Sequence, residues 1–113
     1  MQEISLSHVE AAQGFAAVGS EPRLEVLLAL VRAGESGLTV GEIQDRVGQP
    51  GSTLSHHLRF LSAAGLIEQE RNGRSIIQRA AFEQIRALAN FLLNDCCADA
   101  EQSVHGNQQA AQR

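Results

Sequence analysis

Residues 49–65 read QPGSTLSHHLRFLSAAG, and this stretch carries the punctuation of one short helix. Pro50 suits a first helical position with Gln49 just before it, and Gly65 suits the C-terminal cap. At about 100° per residue, Leu54, Leu58 and Leu61 gather on one side, with His57 at their edge. Ser52, Ser55, His56 and Arg59 fall on the other side, and Thr53 lies in the same first turn. That outer face is short, polar and free of acid. Hydroxyls, an imidazole and a guanidinium are the groups that reach base edges and phosphates, and free amides at a helix start can hold a phosphate. A merely solvated helix would look the same from this stretch alone, so the flanking sequence has to decide.

Upstream, LTVGEIQDRVG (residues 38–48) predicts a short helix. Thr39 and Glu42 have the spacing of a capping box, Ile43 and Val47 face inward, and Gly48 stops the helix. Two helices meeting at a tight turn around Gly48 make a helix-turn-helix candidate. Downstream, LIEQERNGRSIIQR (residues 66–79) changes to a strand period. Asn72-Gly73 between two extended runs predicts a hairpin with a type I′ turn, its tip flanked by Arg71 and Arg74. Two arginines there, next to an acid-free helix face, fit a DNA-contacting wing better than a solvated turn.

Charge follows the same division. The 113-residue chain has a net charge of −4, which taken whole argues against nucleic acid. Residues 46–79 nevertheless carry five arginines (Arg46, Arg59, Arg71, Arg74, Arg79) against two acids (Glu68, Glu70), and the remaining residues carry four arginines against eleven acids. A basic patch on an acidic body is the footprint sought, and the overall balance hides it.

Helical spacing also predicts a first helix over residues 5–18, with Val9, Ala12, Phe15 and Ala16 inward, and a second after Ser20, with Pro22 in its first turn and Leu24, Leu27, Leu28 and Val31 as a buried stripe. A last helix is expected from Ala81 to about Ala100, with Phe82, Ile85, Leu88, Ala89, Leu92 and Cys96 on one face. Length and the 43% hydrophobic composition fit one soluble domain over residues 1–102, with residues 103–113 a polar, disordered tail. No apolar run suits a membrane span and no signal peptide is evident, so a cytoplasmic location is expected, where the two cysteines stay thiols. Adjacent His56 and His57 point apart on a helix and are not expected to share a metal; His57 is expected partly buried and His56 toward DNA. The chain shows no acid–base partner near the cysteines, no glycine-rich phosphate loop and no carboxylate pair, so it does not read as an enzyme.

In order and spacing, AVGSEPRLEVLLAL, GSTLSHHLRFLSAAGLI and RNGRSIIQ resemble the ArsR/SmtB family of winged-helix repressors over about residues 13–95. The resemblance implies a mainly α fold of about five helices with a two-stranded wing. It also implies a homodimer packed through its first and last helices, binding double-stranded operator DNA and released by a ligand, often a metal or metalloid. On this chain the DNA-contacting residues are expected to be Gln49, Ser52, Thr53, Ser55, His56, Arg59, Arg71 and Arg74. The arsenic sensors of the family carry a C-x-C type motif before the recognition helix, where this chain has LTVGEI and no cysteine. Asp95, Asp99 and His105 do not match the spacing of the zinc sensors.

Both cysteines lie together in NDCCAD, residues 94–99. Cys96 is expected on the apolar stripe and Cys97 at its edge, where a small buried hydrophobe is one reading. The other is a soft-ligand site, as in family members that place a cysteine pair near the end of the last helix with a third cysteine shortly after. Thiolates select thiophilic centres. No permanent cofactor is expected, and the inducer class is trivalent arsenic or antimony held by Cys96 and Cys97. With two sulfurs and no third cysteine, a methylated arsenical suits the pair directly, whereas arsenite needs hydroxide, Ser103 or a small thiol as well. A repressor answering to oxidation or to a non-metal ligand is the alternative.

Overall fold

Side-chain caps set the starts of the first three helices in the computed structural model, which describes residues 4–100. Ser7 Oγ accepts from the Glu10 amide at 3.0 Å while the Glu10 carboxylate accepts from the Ser7 amide at 2.9 Å, closing a capping box on α1 (His8–Val18). Ser20 accepts from the Arg23 amide and opens α2 (Glu21–Ala33), with Pro22 in its first turn. Thr39 and Glu42 form the expected box on α3 (Val40–Val47), at 3.2 and 2.9 Å. Each such cap satisfies orphan amides and contributes about 1 kcal/mol. Gly48, at φ 71°, adopts the left-handed conformation that ends α3. The recognition-helix candidate follows as α4 (Gly51–Ala63). Pro50 occupies its N-cap and not the first helical position: a ψ of 150° keeps it extended, one residue before the helix. Gly65 closes α4 as expected, through bonds from Leu66 N to Leu61 O (3.0 Å) and from Gly65 N to Ser62 O (2.9 Å).

The hairpin consists of β2 (Ile67–Asn72) and β3 (Ser75–Ala80), antiparallel, with Asn72 opposite Ser75. Its two-residue loop is therefore Gly73-Arg74, one position later than expected. Gly73 has a φ of 65° and Arg74 does not have a positive φ, which excludes type I′ and fits type II′, where glycine takes the first central place. Arg74 thus sits in the tip itself. A third strand that the sequence did not signal, β1 (Leu38–Thr39), pairs antiparallel with β3, giving the order β1-β3-β2. Gly37 makes this approach possible: a Cβ there would lie 2.5 Å from the Gln78 carbonyl oxygen and 2.6 Å from Ile77 Cγ2.

Helix α5 spans Phe82–Phe91 and stops about nine residues short of expectation. Residues 92–99 continue as turns, with bonds three residues back such as Cys96 N to Leu93 O at 3.0 Å. Leu92 and Leu93 have no core to pack on (70% and 65% exposed), and Asn94, Asp95 and Asp99 offer side-chain acceptors that compete with helical bonds. The tail from residue 103, with Ser103 and His105, lies outside the described residues.

The core sits among α2, α3, α4 and the base of the sheet, where Val26, Leu30, Ile43, Leu54, Leu61 and Leu66 are essentially sealed from solvent. Two expected faces are rotated. On α2 the buried residues are Val26, Leu27, Ala29 and Leu30, while Leu24 and Leu28 are partly exposed, because neighbours enclose this helix from several sides. On α1 the buried positions are Ala11, Gly14 and Ala17, and Val9 is turned outward at 66% exposure. Helix α5 dictates that choice: a Cβ at residue 14 would lie 2.9 Å from both δ carbons of Leu88, so α1 presents small residues. On α5 Leu88 is buried and Phe82 and Ile85 are half-buried, but Ala89 is exposed, as are Leu92 and Cys96 beyond the helix end.

Candidate nucleic-acid interface

Helix α4 divides as its sequence predicts. Leu54, His57, Leu58 and Leu61 pack inward, and Ser52, Thr53, Ser55, His56 and Arg59 are all exposed. Unlike α1, α2 and α3, this helix has no side-chain cap and no acid in its first turn. The amides of residues 51–53 precede its first bond, from Leu54 N to Pro50 O at 2.9 Å, and remain available to an anion. The fold thus caps its first three α-helices by side chains and leaves uncapped both α5 and the start of α4, which bears the polar face and has no acid in its first turn.

Beside that face rises the hairpin, with Arg71 and Arg74 exposed at and near its tip. Between α4 and the sheet runs a groove of about 420 Å³, lined by Ser55, Arg59, Ser62, Gln69 and Gln78. Gln78 is buried and its side-chain oxygen accepts from Gln69 Nε2 at 3.1 Å. Sequence alternation gave no sign of this pair: Ile76 and Gln78 share one face of β3, yet Ile76, nearer the tip, is 41% exposed while Gln78 is buried. Of the five arginines in residues 46–79, Arg79 is spent on the fold: it pairs with Glu70 at 2.8 Å and donates to the Glu35 carbonyl at 2.7 Å. Arg46, Arg59, Arg71 and Arg74 have no carboxylate partner among the described residues.

Behind the polar face a small network ties α4 to α2. The Gln49 side chain donates to the Pro22 carbonyl at 3.2 Å, so this expected contact residue is engaged inward by its amide nitrogen. The Arg23 guanidinium lies 4.6 Å from the Phe60 ring centroid while its Nε donates to the Ala17 carbonyl at 2.7 Å, and Phe60 meets His56 edge-on at 4.9 Å. His57 is more deeply buried than expected, and its Nδ1 has no hydrogen-bond partner among the described residues. Burial, then the charges of Arg23 and His56, hold its imidazole below the ordinary value of 6.5.

The two thiols follow α5 and do not line the groove beside α4. Cys96 is exposed, not on a buried stripe, because the helix has already ended. Cys97 has a φ of 65°, a left-handed conformation rare for any residue with a Cβ. The pair's Sγ atoms are 3.3 Å apart. Among the described residues no three His, Cys, Asp or Glu side chains cluster as a metal site, and no helix is long and apolar enough to cross a membrane.

Residues 18–70 match the helix-turn-helix domain family. The chain is 26% identical to the transcriptional activator HlyU of Vibrio cholerae, over 81% of this chain and 82% of that protein. It is 32% identical to the biofilm growth-associated repressor of Xylella fastidiosa, over 72% of this chain and 68% of that one. Among solved structures, an ArsR-like transcriptional regulator from Rhodococcus superposes with a TM-score of 0.72 at 28% identity, covering 92% of this chain and 94% of the other. A homodimeric winged helix-turn-helix DNA-binding domain from Mycobacterium bovis, described as a possible ArsR-family regulator, does so with a TM-score of 0.62 at 28% identity, covering 86% and 85%.

Proposed function

The chain belongs to the ArsR/SmtB family of winged helix-turn-helix transcriptional regulators, and from that premise we propose that it is a cytoplasmic, homodimeric repressor that releases its operator when a trivalent arsenical binds Cys96 and Cys97. Its relatives are regulators of transcription, not enzymes.

The observation that carries the DNA reading is the uncapped, acid-free face of α4 beside a hairpin tip bearing Arg71 and Arg74. In this reading α4 enters the major groove. Ser52, Thr53, Ser55, His56 and Arg59 meet base edges and phosphates, Gln49 contributes at the helix entrance, and Arg71 and Arg74 reach the flanking backbone or minor groove. A two-fold dimer presents two such helices to a palindromic site at a spacing of about one DNA turn. The first and last helices supply the interface: Val9 on α1 and Leu92 and Leu93 just beyond α5 are large apolar side chains left at the surface of one chain.

The thiol reading rests on the 3.3 Å separation of the sulfurs. Two sulfurs that close can share one thiophilic centre. A methylated arsenical brings carbon as its third substituent, so two sulfurs complete it, while arsenite or antimonite needs a donor from outside the pair. A ligand that binds the DNA-incompetent arrangement of the dimer better lowers operator affinity by the same coupling factor.

A gel shift on the DNA upstream of the protein's own gene tests both readings. Specific binding is expected, with release by methylarsenite and no effect of zinc. The double substitution Cys96→Ser, Cys97→Ser should keep operator binding and lose release. If that variant still releases DNA normally with the arsenical, the thiol assignment is wrong. Release by peroxide and not by arsenical would make the pair an oxidation sensor, and absence of specific binding would remove the DNA reading itself.

A further inference from the structure

A second cleft lies between α2 and α3 and shares no lining residue with the thiol pair or with the groove beside α4. Its volume is about 440 Å³ and it is lined by Glu25, Leu28, Ala29 and Arg32 of α2 and by Arg46 and Val47 of α3. The α2 residues follow the helical spacing i, i+3, i+4, i+7, so they form one continuous strip. Leu28 is 38% exposed and Ala29 buried, which gives the cleft an apolar floor open to water. Arg32 and Arg46 enter from different helices, and neither has a carboxylate partner among the described residues. Each sits in the last turn of its helix, where a cation complements the helix dipole. That accounts for a positive charge at each end but not for both flanking one apolar cleft.

We propose that this cleft binds a small monoanion with an apolar body, such as a monocarboxylate whose hydrocarbon part lies on Leu28, Ala29 and Val47. Two guanidinium groups offer paired donors to a carboxylate, and an arginine fork favours that planar group over a point charge. Glu25 at the rim reduces the local charge to a single positive unit, which matches one negative charge and disfavours a polyanion. The occupant would touch the final turn of α3 directly before Gly48, the residue from which the chain turns into α4. The site is independent of the thiol reading and is tested on the protein alone.

Calorimetric titration of the full-length protein with sodium benzoate and sodium hexanoate is the test, with acetate and benzyl alcohol as partial mimics. Saturable binding is expected for benzoate or hexanoate, at least tenfold tighter than for acetate or benzyl alcohol. Arg32→Gln and Arg46→Gln should each weaken it at least tenfold, and Glu25→Gln should tighten it; all three positions are exposed, so folding is retained and checked by circular dichroism. The proposal is overturned if neither carboxylate binds saturably, if both arginine variants bind as the parent does, or if acetate binds as tightly as benzoate.

Discussion

Helix α4 and the thiol segment beyond α5 are built to opposite standards. Helix α4 is seated on Leu54, Leu58 and Leu61, each at most 4% exposed, ends in a hydrogen-bonded left-handed cap, and is tied to α2 through Gln49. The thiol segment beyond α5 has only single turns, surface leucines and a strained Cys97. The difference follows from what each reading asks of its region. A surface that reads DNA must hold several side chains in fixed relation, and rigid packing supplies that before DNA arrives. A site that closes on a small ligand changes a protein only by binding two arrangements unequally, and a weakly held segment provides the second arrangement cheaply.

The largest expected effect separates the two regions by stability. Leu61→Ala should cost about 2–5 kcal/mol in urea denaturation, as for other large-to-small core changes, while Leu92→Ser should leave the monomer's stability nearly unchanged and act on dimerisation, read by sedimentation at several concentrations. Equal losses from both, at every concentration, would erase the contrast. Next in size, Arg59→Ala should weaken operator binding by about 1–3 kcal/mol, and Arg74→Ala should weaken all sequences alike and flatten the salt slope by about 1. An unchanged slope removes Arg74 from the interface.

A smaller effect tests how the helix is seated. His57 resists protonation in the fold, so the unfolded chain binds more protons once the pH drops below the ordinary value of 6.5. Stability should therefore be complete above that value and decline as pH falls toward the depressed folded value. His57→Gln should flatten that decline in denaturation curves recorded between about pH 7.5 and 5, and an equally steep decline would assign it to other groups. The smallest effect belongs to the thiol segment. Cys97→Gly relieves a positive φ and should slow proteolysis there slightly, with a gain below about 1 kcal/mol; faster cleavage would show that this backbone is held by the Cys97 side chain.

Much of the DNA-facing region was legible because its signals are local. Thr39 with Glu42, Gly48, the leucine spacing of α4 and Gly65 each specify backbone geometry within one or two turns. The misread faces depend on partners distant in sequence. Nothing near Gly14 announces Leu88, and a two-residue strand leaves no periodicity, so β1 emerges only from its pairing with β3. The turn slipped by one residue because Asn72 suits a turn as well as the strand end it occupies. The thiol end reads as helix because Leu92 and Cys96 continue the helical spacing, although both are exposed among the described residues.

The short β1 strand has a mechanical consequence. Hydrogen bonding of Leu38 and Thr39 to β3, made possible by Gly37, stitches the root of the hairpin to the residue that caps α3. The wing is thereby joined to the start of α3, the helix that leads through Gly48 into α4. Under the proposed function, a shift that lifts the wing from DNA would therefore also be felt at α3 and, through Gly48, at α4.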